Sequence, residues 1–288
     1  MRSIRIPSPA KVNLLLKVLS RRPDGYHELL TLFHRISLCD RLTLKKVDHP
    51  GFRLITNHPK LRRQRDNLIY RAYQLLGKTA KWKGGVEVTL EKHIPVAAGL
   101  GGGSSNAAHF LLGMNQLFRL GLSRKTLLGL GNQLGSDVPF FLYQVNQAWG
   151  RGRGERIQPF PARKQLWFVL VLPPFGISTA LVYKRFKAAP LTRISHDATI
   201  TSAFLGRREK KLGLPVLEND LFAISSSIRP ELKAVGALFD QIGAHHWLMS
   251  GSGPTMYSIH SSRREAERIA RLIRRRKPKV TALVCHTD

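Results

Sequence analysis

Between residues 86 and 118 the chain passes from a strand through a glycine-rich loop into a helix, and this succession narrows the choice of fold more than any other stretch. Residues 86–91 alternate apolar and polar, the period of a half-buried strand. The loop reads Pro95-Val96-Ala97-Ala98-Gly99-Leu100-Gly101-Gly102-Gly103-Ser104-Ser105-Asn106, after which Ala107, Ala108, Leu111, Leu112 and Phe118 fall on one helical face. Small residues from Gly101 to Ser105 let backbone N–H groups approach an anion without obstruction by Cβ, and the helix start behind them adds its positive dipole end. The same shape also serves as a tight turn with Ser104 or Ser105 capping the helix, and the loop alone leaves both readings open.

What the loop lacks narrows the anion it could hold. A Walker A loop ends in Gly-Lys-Ser/Thr, and no lysine occurs between Lys92 and Lys125. A dinucleotide fingerprint needs a third glycine where Ser104 stands and an acid about 20 residues on. No Asp or Glu occurs from Lys92 to Ser136. The His-Arg-Asp and Asp-Phe-Gly elements of protein kinases are absent too. That barren interval singles out Asp137, the one carboxylate between Glu91 and Glu155. A solitary acid behind a phosphate-type loop suits a general base or metal ligand for phosphoryl transfer, and equally the cap of a helical turn opening at Val138-Pro139.

Residues 11–18 alternate, with Val12, Leu14, Leu16 and Val18 against Lys11, Asn13 and Lys17, which predicts a strand with a wet face. Arg22-Pro23-Asp24-Gly25 is a turn, because proline presets one dihedral and glycine accepts a positive one. Short β-type runs follow at 29–37, 40–46 and 52–56. Asp66 is placed to cap a helix carrying Leu68, Ala72, Leu75 and Leu76, and a second amphipathic helix spans 123–134 before Gly135 stops it. The second half predicts a buried strand at 167–172 and strands at 247–250 and 255–259 around Gly251-Ser252-Gly253-Pro254. A helix of Ala266, Ile269, Ala270 and Ile273 and a final strand at 280–285 complete it. This order is α+β of the split β-α-β type, with a boundary in the turn-rich residues 154–165 that makes 1–160 and 161–288 two domains.

Two cysteines, Cys39 and Cys285, cannot build a disulfide framework, which fits a reducing compartment. Scattered histidines offer no metal-ligand spacing. No apolar run approaches the ~18 residues that a spanning helix needs, and the sequence reads as a mature cytoplasmic chain.

Three separated segments, Pro9-Ala10-Lys11-Val12-Asn13-Leu14, the loop 95–108 and Gly251-Ser252-Gly253-Pro254, together resemble the motifs of the GHMP kinases in order and spacing. Within that superfamily, Ser8 to Leu14 followed by Arg22-Pro23-Asp24-Gly25-Tyr26-His27-Glu28-Leu29 is most similar to the branch that phosphorylates 4-diphosphocytidyl-2-C-methyl-D-erythritol. Mevalonate and homoserine kinases share the loop but usually lack the Asp24-Gly25-Tyr26-His27 element. The resemblance implies a two-domain fold, N-terminal ribosomal protein S5 domain 2-like and C-terminal ferredoxin-like, with the active site in the cleft between them. It implies transfer of the γ-phosphate of ATP, with Mg²⁺, to the 2-hydroxyl of that substrate, a step of the non-mevalonate isoprenoid pathway.

By the same resemblance Asp137 would be the general base and Lys11 its cationic partner, offsetting charge on the transferring phosphoryl group. Pro95, Val96, Ala97, Ala98, Gly99, Leu100, Gly101, Gly102, Gly103, Ser104, Ser105 and Asn106 would form the nucleotide loop, with Asn67 and Leu68 beside it. The backbone of Gly99 to Ser105 would cradle the phosphates, and Ser105 would be a ligand for Mg²⁺ or phosphate. Tyr26 would stack on the cytosine, His27 would read its edge, Asn13 and Lys92 would position the substrate, and Tyr183 would close the base sandwich. The Gly251 turn would support the loop from the second domain.

Nothing in that chemistry requires the net charge of +29, from 47 Lys+Arg against 18 Asp+Glu. Arg263, Arg264, Arg268, Arg271, Arg274, Arg275, Arg276 and Lys277 form one basic run, and Lys60, Arg62, Arg63 and Arg65 another. A solvated basic surface accounts for both. A nucleic-acid platform would interleave aromatics, and the run 263–277 has none. The expected partners are therefore a small-molecule substrate, no membrane and no specific nucleic acid, with non-specific, salt-sensitive polyanion binding, in a monomer or homodimer. A GHMP kinase of mevalonate or homoserine type is the competing enzyme reading.

Overall fold

The architecture is organised by one long antiparallel hairpin of β1 (Ser3–Arg21) and β2 (His27–Val47). In the computed structural model, residues 2–61, 67–162, 164–186, 208–209, 214–215 and 217–288 are described. The hairpin turns at Gly25, whose φ of 83° favours glycine and whose N–H donates to the Arg22 carbonyl at 3.1 Å. The runs expected at 29–37 and 40–46 are one strand, because β2 finds partners along its whole length. Its first half pairs with β5 (Gln147–Gly152) and its second with β4 (Gly85–Glu91). β3 (Gly51–Thr56) runs parallel to β4, and β6 (Arg156–Pro159) is antiparallel to β5.

Helices α1 (Leu68–Ala80), α2 (Gly102–Phe118), α3 (Arg124–Leu134) and α4 (Val138–Leu142) cover one face of this sheet. Ile69, Leu76, Phe110, Met114, Leu130 and Phe140 pack there with Leu42, Leu44, Val86 and Val88, each burial contributing roughly 1.5–3 kcal/mol. Ser123 and Gly135 bound α3 as the sequence indicates. The cap of α1 is Asn67, whose side chain accepts from the Ile69 N–H; Asp66 lies outside the described residues, as do Arg62, Arg63 and Arg65. The glycine loop is shorter than its sequence suggests, since α2 already begins at Gly102 with Gly101 in the cap position, so neither Ser104 nor Ser105 is the N-cap.

The second sheet contains β7 (Trp167–Leu172), β11 (Trp247–Met249), β12 (Met256–His260) and β13 (Thr281–His286) in the order β11-β12-β7-β13, all antiparallel. That is the strand order of a ferredoxin-like split β-α-β unit. Between β7 and β11 run α5 (Thr179–Arg185), a small pair of β8 (Arg208–Glu209) with β9 (Leu214–Pro215), β10 (Glu218–Asn219), α6 (Leu221–Ile228) and α7 (Glu231–Gln241). β10 joins the first sheet, parallel to β1. Helix α8 (Arg263–Arg276) buries Ala266, Ile269, Ala270 and Ile273 and leaves Arg264, Arg268, Arg271 and Arg275 in solvent. Among the described residues no helix is long and apolar enough to cross a membrane.

The two sheets are joined through the hairpin. Val12, Leu14, Leu30 and Leu32 pack against Phe168, Leu170, Tyr257 and Ile259, and the Tyr257 hydroxyl donates to the Asn13 carbonyl at 2.7 Å. The expected wet face of β1 is corrected by this packing. Lys11 is only 3% exposed and Asn13 2%. Register irregularities at Pro9/Ala10 and Asn13/Leu15 break the simple alternation, and the glycine loop covers the polar side chains, with the Lys11 N–H donating to the Leu100 carbonyl at 3.0 Å.

Candidate active site

A cavity of about 1100 Å³ opens where the hairpin, the glycine loop, the start of α2, α4, α5 and the Gly251 turn meet. Its lining gathers Lys11, Asn13, Tyr26, His27, Asn67, Leu68, Lys92, Asp137 and Tyr183 with loop residues Pro95 to Ser104 and Asn106. Thus residues spread over more than half the chain share one space.

The loop is shaped by backbone that only small residues accept. Gly99 has φ of 77° and Gly101 of 67°, and a Cβ on Gly99 would stand 2.3 Å from the Ser250 carbonyl oxygen. The Ser250 hydroxyl donates to the Gly99 carbonyl at 2.8 Å, and the Thr255 N–H donates to Ala98 at 3.4 Å, so the turn of the second sheet grips the loop directly. Behind it, α2 opens with Gly102, Gly103 and Ser104 facing the cavity and with no acid in its first turn. Unpaired N–H groups at the positive end of a seventeen-residue helix make an anion site.

Asp137 stands at the N-cap position of α4, yet its side chain makes no capping bond. Its carboxylate lies 3.3 Å from the Lys11 ammonium instead. Lys11 also donates to Asn13 Oδ1 at 2.6 Å, and Asn13 Nδ2 donates to the Thr31 hydroxyl at 2.7 Å, which fixes the orientation of all three. The ammonium is nearly buried while the carboxylate is about one-third exposed, so the acid can meet a ligand without releasing its partner.

At another part of the wall are rings. His27 and Tyr183 have centroids 5.4 Å apart, Phe186 meets His27 edge-on at 6.0 Å, and Tyr26, half exposed, carries the Arg153 guanidinium over its ring at 4.8 Å. Burial, and next the charge of Arg21, lowers the His27 pKa from its ordinary value, favouring the neutral ring. A neutral imidazole presents one donor and one acceptor, as a heteroaromatic edge requires. Burial first, and then the Asp137 charge, raises the Tyr183 pKa, keeping its phenol protonated.

Ser105 is the residue the structure does not bring to the cavity. It is fully buried; its hydroxyl accepts from Ser8 at 2.8 Å and lies 3.3 Å from His109 Nδ1. Successive helical residues point about 100° apart, so Ser104 faces the cavity and Ser105 the core. The expectation that Ser105 meets Mg²⁺ or phosphate is therefore corrected: its hydroxyl is held in the core, and Ser104 is the serine that lines the cavity. Among the described residues no group of three His, Cys, Asp or Glu could hold a metal.

Asp40, which sequence reasoning passed over as the start of an alternating strand, is fully buried behind the loop. It accepts from the Lys92 ammonium at 2.5 Å, the His93 and Ile94 N–H groups at 2.7 and 2.8 Å, and Asn106 at 2.9 Å. Desolvation lowers the Lys92 pKa, with Asp40 opposing it. A carboxylate in the middle of β2 was a weak signal, because its partners lie far along the chain.

Comparison with known proteins yields concordant matches. Residues 67–145 match the profile of the GHMP kinases N terminal domain, and residues 203–279 that of the GHMP kinases C terminal domain. A 4-diphosphocytidyl-2-C-methyl-D-erythritol kinase of Moorella thermoacetica is 41% identical over 269 residues, covering 93% of each chain. One from Syntrophus aciditrophicus is 38% identical, covering 98% of each. A crystal structure of 4-(cytidine 5'-diphospho)-2C-methyl-D-erythritol kinase superposes with a TM-score of 0.81 at 36% identity over 98% of both chains.

Proposed function

We infer the work of the cavity from one premise: the chain belongs to the 4-diphosphocytidyl-2-C-methyl-D-erythritol kinase family of the GHMP kinases. It is an ATP-dependent kinase acting on an alcohol group. We propose that it phosphorylates the 2-hydroxyl of 4-diphosphocytidyl-2-C-methyl-D-erythritol in the non-mevalonate isoprenoid pathway, within the cytoplasm, where the free thiols Cys39 and Cys285 stay reduced. The observation that carries this reading is the Lys11–Asp137 pair, set in one cavity with both an anion-binding helix start and an aromatic wall suited to a base.

In this reading the loop backbone and the first turn of α2 hold the triphosphate, with Asn67 and Leu68 beside the nucleotide. Asn67 supports the role with a buried Nδ2 that has no protein partner while its Oδ1 caps α1. Tyr26 and Tyr183 take the two faces of the cytosine, and neutral His27 takes its edge. Asn13 orients the acceptor chain. Asp137 removes the proton of the attacking hydroxyl, and Lys11 stabilises charge on the phosphoryl group as it moves. Ser104 and Asp137, hard oxygen donors on the cavity wall, would hold Mg²⁺ bound with the nucleotide, and the ion would supply neutralisation of phosphate charge.

The test is ADP release with ATP and three acceptors run side by side: the cytidylyl substrate, mevalonate and homoserine. Turnover with the cytidylyl acceptor alone is expected. Turnover with mevalonate or homoserine instead would replace the acceptor assignment.

A further inference from the structure

We propose that Asp40 is a positioning residue for the nucleotide, tying together both arms of the glycine loop and holding the Lys92 ammonium at the first turn of α2. The proposal rests on the ATP-dependent reading of the cavity and adds to it a residue that does not itself line the cavity.

A buried carboxylate is unfavourable unless its oxygens are bonded. Asp40 Oδ1 accepts the backbone N–H groups of His93 and Ile94, where the chain leaves β4 and enters the loop. Its Oδ2 accepts from Lys92 and from Asn106, which lies in α2 where the chain leaves the loop. Asn106 also donates to the Ser8 hydroxyl at 2.9 Å, and Ser8 donates to Ser105, so the exit arm is locked to β1 as well. The compensation for burying the Asp40 charge therefore comes from the loop's two ends, and it is complete only when those ends hold their present spacing. That is preorganisation of the cradle before any ligand enters.

Lys92 shows what the arrangement is for. Its Nζ is so close to Gly102 that a Cβ there would stand 2.9 Å away, which puts an ammonium beside the positive end of α2. Helix dipole and cation repel at that position, and the first turn supplies no acid to relieve them. Asp40, from β2, is the charged group that faces Lys92. Asn57 meets only the Lys92 backbone, accepting from its N–H and donating to its carbonyl, and Gly102 adds no charge. With one buried carboxylate beside it that does not line the cavity, the ammonium and the helix start together favour a polyanion there. The acceptor carries a diphosphate as well, but Lys92 stands at the helix start where this reading holds the ATP phosphates, and it is therefore assigned to the nucleotide.

The experiment is a double-mutant cycle of Asp40→Asn, Lys92→Met and the double variant, read first by calorimetric ADP binding, which does not depend on the acceptor. Asparagine preserves the shape and can still accept from His93 and Ile94, but turns an NH₂ toward the Lys92 and Asn106 donors. Each single variant should weaken ADP by about tenfold or more. The double variant should lose no more than about threefold beyond the worse single one, because the two residues act as a unit. In the Asp40→Asn enzyme the loss should appear in the ATP KM rather than in kcat at saturating ATP or in the acceptor KM. ADP binding by Asp40→Asn within twofold of wild type, or losses that simply multiply, would overturn the proposal. If Asp40→Asn does not fold, Lys92→Met decides: unchanged ADP affinity overturns the idea and a tenfold loss supports it. Failure of wild type to use the cytidylyl acceptor would remove the acceptor assignment while the ADP measurements still judge Asp40.

Discussion

Replacing Asp137 by asparagine separates chemistry from binding, because the structure limits what else that change can disturb. The amide keeps the size and planarity of the carboxylate but cannot take a proton. Asp137 makes no side-chain capping bond to α4, so the loss of about 1 kcal/mol that accompanies a broken cap does not arise. Removing one partner of a buried ion pair typically costs about 3–5 kcal/mol, through the charge left alone. Here Lys11 would still donate to Asn13 Oδ1 at 2.6 Å and lie 5.3 Å from the Phe33 ring centroid, while the lost partner is one-third exposed. The folding penalty should therefore be nearer 1 kcal/mol, a few degrees in Tm. A positioned general base contributes about 10²- to 10⁴-fold, or roughly 3–5 kcal/mol of barrier. The expected variant binds ATP and acceptor as wild type does and turns over 10² to 10⁴ times more slowly, measured as kcat in the ADP-release assay. A kcat within threefold of wild type would refute the assignment of Asp137 as the base.

Three further outcomes follow from the packing. Gly99→Ala places a Cβ 2.3 Å from a backbone oxygen at φ of 77°, strain of about 1–3 kcal/mol that only loop displacement can relieve; the ATP KM should rise about tenfold or more, whereas exposed Gly129→Ala in α3, with nothing within 4 Å, should raise Tm slightly. His27→Ala should raise the acceptor KM while leaving the ATP KM within about twofold, and equal effects on both would remove His27 from the base pocket. Burial holds the His34 pKa at about 4, below its unfolded value near 6.5, so its neutral form contributes stability that is full above pH 6.5 and is lost as pH falls toward 4. Urea midpoints should drop across that window, and His34→Gln, which cannot titrate, should lessen the drop by up to about 3 kcal/mol; an unchanged slope would show that His34 does not drive it.

Helix α8 was legible because Ala266, Ile269, Ala270 and Ile273 are near neighbours at helical spacing, and all four are buried. Ser123 and Gly135 announced the ends of α3 by local chemistry. Asp137 stood out through the emptiness around it, which is also a local property. Lys11 and Asn13 were placed together correctly but expected in solvent, since periodicity reports which side chains share a face and not what covers that face. The covering comes from a loop some ninety residues on and from a second sheet.

Ser105 failed for a different reason. Its motif position was sound, but the helix begins three residues before it, and one step of about 100° decides whether a hydroxyl meets the cavity or Ser8.

Asp40 marks the limit of sequence reading here. Its bonds reach Lys92, His93, Ile94 and Asn106, 52 to 66 positions away, and two of them go to backbone N–H groups that no residue type reveals. In a chain of net charge +29, a search for chemistry looks naturally to the acid that is exposed to the cavity, and Asp137 answers it. The acid that shapes the cradle must be hidden, because an exposed carboxylate beside Lys92 would compete with phosphate for the same cation. Burial behind the loop lets Asp40 hold the ammonium without itself lining the cavity that Lys92 lines. The two carboxylates thus differ in role for the same electrostatic reason that they differ in exposure, and only the folded arrangement could tell them apart.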